Sequence, residues 1–443
     1  MKIALLGFDV EGRSSFEYFK SQGHELTVRD QNPQVEMPDG VESVLGENYL
    51  DDLDQFDLLV RTAGLQPQKI LEKNPDVGDK ITTHMNEFFK ARPTKNIIGI
   101  TGTKGKGTTS TLIAKILEAD GKHVKLGGNI GVPPLDFLHE LKEDSWVVLE
   151  LSSFQLIDIE YSPHIAVCLM VVPEHLNWHP DINDYTLAKT QLFAHQSAED
   201  CAIYFADNEL SVLIATASHG KKVPYFAPPG AYVNGDSIVI DDQVVCRIAE
   251  LKLFGEHNWQ NVCAAVTAGW QVTRNLGAFK SALISFSGLE HRLELVRELD
   301  GVSYYDDSFG TTPETAIVAL NSFEQPKVAI LGGSDKGADF SELARVVKDS
   351  NVRQVILVGN TANPDYTSAG PKLEKALHDQ GYDTITSLVK SGKTSMEEIV
   401  RAARAAAKEG DVVLLSAACA SFDIFDNYKQ RGELFKQAVQ ALA

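Results

Sequence analysis

The stretch GITGTKGKGTTSTLIAKILEADG, Gly99 to Gly121, decides how this chain folds. An apolar run that includes Gly99 ends in a loop carrying three more glycines and two lysines. Hydroxyl residues follow, and Leu112, Ile113, Ile116 and Leu117 then recur at helical spacing up to a glycine stop. The pattern is strand, phosphate-holding turn, helix. Backbone N–H groups from Lys104 to Thr108 would point at an anion at the helix N-terminus, and the helix dipole favours negative charge there. Lys106 supplies the point charge for a β- or γ-phosphate. The strict P-loop pattern is not met, because Ile100 stands where its first glycine belongs and Gly107 where Ser or Thr should follow the lysine. The competing reading is a glycine-rich turn that only caps a helix, and two lysines in such a loop speak against it.

Outward from this loop the chain reads as three consecutive α/β units. The first, residues 1–92, opens with the buried-strand run KIALLG, a glycine-bearing turn, the helix-like SSFEYFKSQG and the strand-like HELTVRD, which is a Rossmann-like beginning. Its fingerprint is defective: GFDVEG places Asp9 where GxGxxG needs glycine, setting a carboxylate beside any incoming phosphate. FDLLVRTAG ends in a second strand-to-glycine turn that includes Gly64, and KARPTKN reads as a linker near residue 92. Residues 93–289 form the central P-loop-type unit with a mostly parallel sheet, built on NIIGITG, SWVVLELSS, IAVCLMVVPEH and CAIYFADN. Residues 290–443 form a Rossmann-like third unit on VSYYDDS, PKVAILGGSDKG, QVILVGN and DVVLLSAACA. No internal repeat or low-complexity tract is present.

Composition narrows the class. The 443 residues include 41 basic and 61 acidic side chains, so a formal charge of -20 repels extended nucleic acid and anionic membranes. An anionic ligand must therefore meet a local cluster of positive groups or a metal. Five scattered cysteines without CxxC spacing argue against a disulfide framework or a structural zinc site, and for the cytoplasm. The apolar run at the N-terminus is too short for a signal peptide, and IAVCLMVV is too short to span a bilayer.

Two residues point to a metal-assisted nucleotide. Glu150 closes the apolar run VVLE, where an acid is costly unless it meets a cation or a partner, and His175 follows the next strand-like run. A carboxylate and an imidazole at the ends of adjacent parallel strands, facing a phosphate loop, can hold Mg2+ in the crevice where such sheets bind ligands. A capping or salt-bridged acid, and a packed or surface histidine, are the competing readings.

The motifs TGTKGKGTT, GGNIG, LELSSFQL, EHLNWH, YTLAK, GEHNWQN, HRLE, DDS, LGGSDKGADF and SAACASFDIFDNYKQRGELF occur in the order and approximate spacing of the Mur ligases. The chain resembles that family over nearly its whole length, most closely the branch that adds D-glutamate to UDP-N-acetylmuramoyl-L-alanine in peptidoglycan precursor synthesis. The resemblance implies ATP and Mg2+ as cofactors and three domains, for the UDP-sugar, for ATP and for the incoming amino acid. It implies glutamate as acceptor and a monomer. It assigns the phosphate loop to Gly102, Thr103, Lys104, Gly105, Lys106, Gly107, Thr108 and Thr109, with Lys106 as its catalytic lysine. Glu150 and His175 resemble the magnesium ligands. Lys189 matches the lysine that becomes a carbamate and bridges to magnesium, although from the residues alone an exposed helical lysine is the plainer reading. Asn258, Asn261, Arg292 and Asp307 match the nucleotide contacts. Asp30, Gly64 and Asn129 fall on the UDP-sugar side, and Thr311, Lys336, Ser421 and Tyr428 where the family grips the amino acid.

Three departures matter. Gly107 follows the lysine, as in the similar folylpolyglutamate synthases, which shifts the metal-binding hydroxyl to Thr108. Asn32 stands where an arginine often serves the uridine, leaving that contact to Asp30 and the neighbouring Arg29. Phe309 replaces a lysine near the amino-acid pocket, which implies a weaker grip on one carboxylate. A folylpolyglutamate-type ligase explains Lys106-Gly107 but not GGNIG. A dinucleotide-binding oxidoreductase or a non-catalytic nucleotide-binding module is the reading from another class, and Asp9 argues against it.

Overall fold

Short apolar runs bounded by turns build the first sheet: β1 (Lys2–Leu6), β2 (Glu25–Asp30), β3 (Glu42–Leu45), β4 (Leu58–Arg61) and β5 (Ile81–Thr83). All are parallel, in the order β3-β2-β1-β4-β5; α1 (Val10–Ser21) connects β1 to β2, α2 (Pro67–Lys73) connects β4 to β5, and α3 (His84–Ala91) follows β5. Side chains of β1 alternate between two cores: Ile3 and Leu5 pack with Phe16 and Phe19, while Ala4 and Leu6 pack with Leu53, Leu59 and Ile70. Helix α1 begins at Val10, earlier than SSFEYFKSQG suggested, and takes in Gly12. A Cβ there would lie 2.1 Å from the Gly7 carbonyl oxygen, so glycine allows the helix to press against the turn. The computed structural model describes residues 1–176, 178–253 and 255–443; Asn177 of EHLNWH and Phe254 lie outside the described residues.

The second sheet holds β6 (Ile97–Thr101), β7 (Val124–Gly128), β8 (Trp146–Glu150), β9 (Ile165–Cys168), β10 (Cys201–Phe205) and β11 (Lys221–Tyr225). They are parallel in the order β11-β10-β9-β6-β8-β7, which puts β6, with the phosphate loop, between β9 and β8. Its helices are α4 (Lys106–Ala119), α5 (Ser153–Leu156), α6 (Ile182–Ala194), α7 (Glu209–Ala215), α8 (Glu256–Trp270) and α9 (Leu276–Ser285). A small antiparallel sheet of β12 (Tyr232–Asn234), β13 (Ser237–Ile240) and β14 (Gln243–Arg247) had no counterpart in the sequence reading. Its signal was there: Asn234-Gly235 and Asp241-Asp242 separate strand-length apolar runs, as hairpin turns do. These elements belong to one compact unit, Met1–Phe286.

The second unit, Ser287–Ala443, is built on β15 (Glu294–Leu299), β16 (Val302–Asp306), β17 (Lys327–Gly332), β18 (Val352–Asn360), β19 (Ile385–Lys390) and β20 (Val412–Leu415). The order is β15-β16-β20-β17-β18-β19, parallel except for the antiparallel edge pair β15 and β16. Helices α10 (Pro313–Asn321), α11 (Ser341–Asp349), α12 (Gly370–Asp379), α13 (Met396–Ala406) and α14 (Tyr428–Gln440) cover its faces. Apolar cores on both sides are the signature of a doubly wound sheet. All five cysteines are free and buried. Among the described residues no helix is long and apolar enough to cross a membrane.

Candidate active site

In the first unit the phosphate loop follows β6. Gly105 caps α4 with φ 86°, and a Cβ on it would lie 2.1 Å from Asn261 Oδ1, so conformation and space both demand glycine. Asn261, on α8, is thereby pressed against the loop; Thr109 Oγ1 donates to its Oδ1 at 3.5 Å, and its Nδ2 donates to Asn258 Oδ1 at 3.4 Å. The two asparagines and the loop thus come together. Gly107 is buried and Thr108 half-buried, both in the first turn of α4. Thr103 Oγ1 donates to the Val172 carbonyl at 3.0 Å and meets Tyr185 Oη at 3.0 Å. Lys104 is exposed and pairs with Glu174 at 2.5 Å. Lys106 Nζ donates to the carbonyls of Gly102 (3.0 Å) and Thr103 (3.1 Å).

Lys189 comes to the same place from α6. Its Nζ also donates to the Gly102 carbonyl, at 3.0 Å, so two lysines converge on one oxygen. The exposed-helix reading of Lys189 is overturned: the residue is 1% exposed. Burial, reinforced by the Lys106 charge, pushes its amine down to about 7, while the face of Tyr185 lies 4.3 Å from Nζ.

Glu150 is the register partner of Ile100 and is 4% exposed. Asn129 Nδ2 donates to its Oε1 at 2.8 Å, and the Asn129 amide to its backbone carbonyl at 2.8 Å, so two predicted site residues are joined directly. A buried carboxylate at a strand end offers hard oxygen lone pairs suited to a divalent cation. His175 adopts φ 59° and packs on Phe154 with ring centroids 4.9 Å apart. Burial first, then Lys106 and Lys189, lower its pKa, which keeps a ring nitrogen lone pair available as a metal ligand. Glu150 ends β8 and His175 follows β9; β6 lies between these two strands, so they are not adjacent as the sequence implied, and of the two side chains the carboxylate is the oxygen donor that Mg2+ takes.

The loops of the first sheet are held by their own side chains. Asp30 accepts from the amides of Phe8 and Asn32, each at 2.7 Å, and so ties the turn after β1 to the turn after β2. Arg29, suggested as a uridine contact, is corrected: it is buried, its guanidinium lies 5.0 Å from the Phe56 ring centroid, and Nη1 donates to the Asp51 carbonyl at 2.5 Å. Alternation along β2 turns Arg29 inward while Asp30 stands at the strand end. Glu11, in the defective dinucleotide turn, accepts from the Ala63 amide at 3.0 Å and from Gln155 Nε2 at 2.6 Å. The Gly64 carbonyl accepts from Trp178 Nε1 at 3.2 Å, and Gln66 Nε2 donates to the Trp178 carbonyl. Trp178 and Tyr185 escaped the sequence reading, although Tyr185 lies one helical turn before Lys189, where facing side chains meet.

In the second unit Arg292 and Phe309 come together, the guanidinium 4.0 Å from the ring centroid, with Tyr428 edge-on to Phe309 at 5.1 Å. Asp307 is buried, accepts from Ser416 Oγ at 2.8 Å and from the Leu293 amide at 3.3 Å, and burial lifts its carboxyl to about 6. Thr311 precedes Thr312, whose capping box starts α10. Lys336 is exposed, its Nζ 5.5 Å from the Phe422 ring centroid. Ser421, 2% exposed, lines a small cavity together with Gly333, Asp423 and Arg431. Arg431, also buried, holds this corner by donating to Ser308 and to the Cys419 carbonyl, and its burial had no sequence signal beyond a cation inside SAACASFDIFDNYKQRG.

Comparison with known proteins places this architecture. The Mur ligase middle domain matches residues 100–269, and the Mur ligase glutamate ligase domain matches residues 291–419. The chain belongs to the Mur ligase family, the ATP-dependent amide ligases of peptidoglycan precursors. It is 35% identical over 456 residues to UDP-N-acetylmuramoylalanine--D-glutamate ligase of Clostridium botulinum (strain 657 / Type Ba4), covering 100% of this chain and 97% of that one. The enzyme of the same name from Clostridium tetani (strain Massachusetts / E88) is 35% identical over 454 residues, with the same coverage. The fold is shared with UDP-N-acetylmuramate-alanine ligase MurC from Thermotoga maritima (TM-score 0.56, 16% identity, 100% and 99% of the two chains). It is also shared with E. coli FolC in complex with DHPP and ADP (TM-score 0.57, 15% identity, 81% and 92%).

Proposed function

We propose that this chain adds D-glutamate to UDP-N-acetylmuramoyl-L-alanine at the expense of ATP, in the cytoplasm and as a monomer. Two clostridial relatives carry that activity in their names at 35% identity over full length. The observation that carries the reading is the convergence of the Lys106 and Lys189 amines on the Gly102 carbonyl, at the end of the strand paired with Glu150. We assign residues 1–92 to the UDP-sugar, 93–289 to ATP and 290–443 to the amino acid.

The loop amides and Lys106 bind the β- and γ-phosphates and stabilise charge on the transferring phosphoryl group. A carboxylate oxygen of the muramoyl-alanine forms a bond to the γ-phosphorus as the bond to ADP breaks, giving an acyl phosphate. The uncharged amine of glutamate then forms the C–N bond, inorganic phosphate leaves with the C–O electrons, and the amine proton is released. Glu150, His175 and the Thr108 hydroxyl would hold Mg2+, which supplies neutralisation of the phosphate oxygens. Lys189, with its amine near 7, is suited to react with carbon dioxide: the neutral nitrogen attacks carbon, loses a proton and becomes a carbamate anion. Asn258, Asn261, Arg292 and Asp307 contact the nucleotide, Asp30, Gly64 and Asn129 the UDP-sugar, and Thr311, Lys336, Ser421 and Tyr428 the amino acid.

The folylpolyglutamate-type alternative keeps one supporting feature, Gly107 buried after Lys106. The test is phosphate release from ATP with UDP-N-acetylmuramoyl-L-alanine or a reduced folate, across D- and L-amino acids. D-glutamate with the UDP-sugar is the expected best pair. Preference for a neutral or basic amino acid, or for the folate, overturns the reading.

A further inference from the structure

Three segments of the first unit carry the residues proposed for metal and carbamate, and one buried residue ties all three together. His179 is 1% exposed. Its Nε2 meets Ser153 Oγ at 2.9 Å, three residues past Glu150, and its Nδ1 meets Asp184 Oδ2 at 2.6 Å, five residues before Lys189 on α6. Its backbone amide donates to the His175 carbonyl at 2.9 Å. Because a carboxylate only accepts, Nδ1 is the donor to Asp184, and in the neutral ring Nε2 then accepts a hydrogen bond from the Ser153 hydroxyl. Both polar edges of the ring are thereby used.

The ring faces are filled as well. Phe154 stacks on it at 5.7 Å between centroids, 16° from parallel, Trp178 lies at 4.6 Å, and Tyr185 stands edge-on at 5.2 Å. Tyr185 in turn presents its face to the Lys189 amine at 4.3 Å and its hydroxyl to Thr103 of the phosphate loop at 3.0 Å. A Ser–His–Asp chain of this kind serves in other proteins as a nucleophile, its base and the base's orienter. Here Ser153 is 2% exposed and the His179 ring it bonds is stacked against Phe154, so the same bonds act as a brace.

We propose that His179, bonded to Ser153 and Asp184, is a positioning residue that sets the spacing of Glu150, His175 and Lys189. The inference rests on the metal reading of those residues. Groups that orient metal ligands through hydrogen bonds typically change metal affinity about 10- to 100-fold when removed.

The test uses the full chain and Mn2+ as the probe, titrated by electron paramagnetic resonance into the enzyme with ADP. Folding is followed by circular dichroism, and kcat and KM are measured separately. Ser153→Ala, His179→Gln and His179→Asn are compared; glutamine keeps a polar group near Nε2 and asparagine one near Nδ1. Each is expected to weaken Mn2+ binding by about 10-fold and to lower kcat, with KM for glutamate unchanged. Should the His179 variants fail to fold, Ser153→Ala, which removes one oxygen, decides alone. Wild-type Mn2+ affinity and kcat in folded Ser153→Ala overturn the proposal. Glu150→Ala and His175→Ala are run alongside: if they too bind Mn2+ normally, the metal reading itself has failed, whereas loss in these two alone refutes only the brace.

Discussion

Replacing Lys189 by methionine should abolish ligation and yet stabilise the protein below neutral pH. In the folded chain the amine titrates at about 7 against its ordinary 10.5, a difference worth ~5 kcal/mol against the buried ammonium. That difference is already net of the Tyr185 face and the bond to the Gly102 carbonyl, which favour the ammonium, so the apolar variant gains up to ~5 kcal/mol at pH 6. The pH dependence follows from the sign of the shift. The unfolded lysine holds its proton up to 10.5 while the folded one loses it near 7, so the penalty is complete below about pH 7 and disappears as pH rises towards 10.5. Thermal melts in buffer free of carbon dioxide at pH 6 and pH 10 should show the variant ahead at pH 6 and level with wild type at pH 10. The same shift leaves about half of the wild-type amine neutral at pH 7, against roughly one in 3,000 for an ordinary lysine, so 13C-bicarbonate should give a carbamate resonance that Lys189→Met lacks. A variant less stable than wild type at pH 6, or a gain that does not change with pH, would refute the buried-amine argument; retained ligation would refute the carbamate.

Lys106→Ala should cost about 3 kcal/mol or more of transition-state stabilisation, read as a 100-fold or larger fall in ATP-dependent phosphate release. Lys104→Ala, which breaks only an exposed ion pair with Glu174, should stay within a few-fold of wild type, and equal losses would sink the distinction between the two lysines. Phe309→Lys puts a second cation where a ring lies 4.0 Å from the Arg292 guanidinium, so KM for ATP should rise about 2- to 5-fold while KM for glutamate falls; no change in either would remove Phe309 from both arguments. Asp158→Ala leaves the fully buried Arg61 guanidinium without the carboxylate that pairs with it at 2.5 Å, and should destabilise the first unit by about 3 kcal/mol in urea titration. A shift below about 1 kcal/mol would show that the carbonyls of Thr62, Leu65 and Phe154 satisfy Arg61 by themselves.

What the sequence determined by itself was local in origin. Strand-length apolar runs and glycine turns marked the three large sheets, because β-strands and tight turns are read from neighbouring residues. Lys106 sat in the glycine-bearing turn at a helix start and Glu150 at a strand end whatever their surroundings. The small antiparallel sheet at 232–247 was equally local and was passed over because its two-residue turns were not weighed. Tertiary structure decided the rest. Lys189 read as an ordinary helical lysine until α6 packed its amine against the Gly102 carbonyl and stripped it of water. Asp30, with its neighbour Arg29, was read as a uridine contact until Arg29 turned inward and Asp30 caught two amides. His179 had no signal at all, since its meaning lies in Ser153 and Asp184, which different segments bring to it. Residue type and spacing report which bonds a side chain can make; solvent exclusion and the partners that shift a pKa or fix a ring arise only when segments distant in the chain close around it.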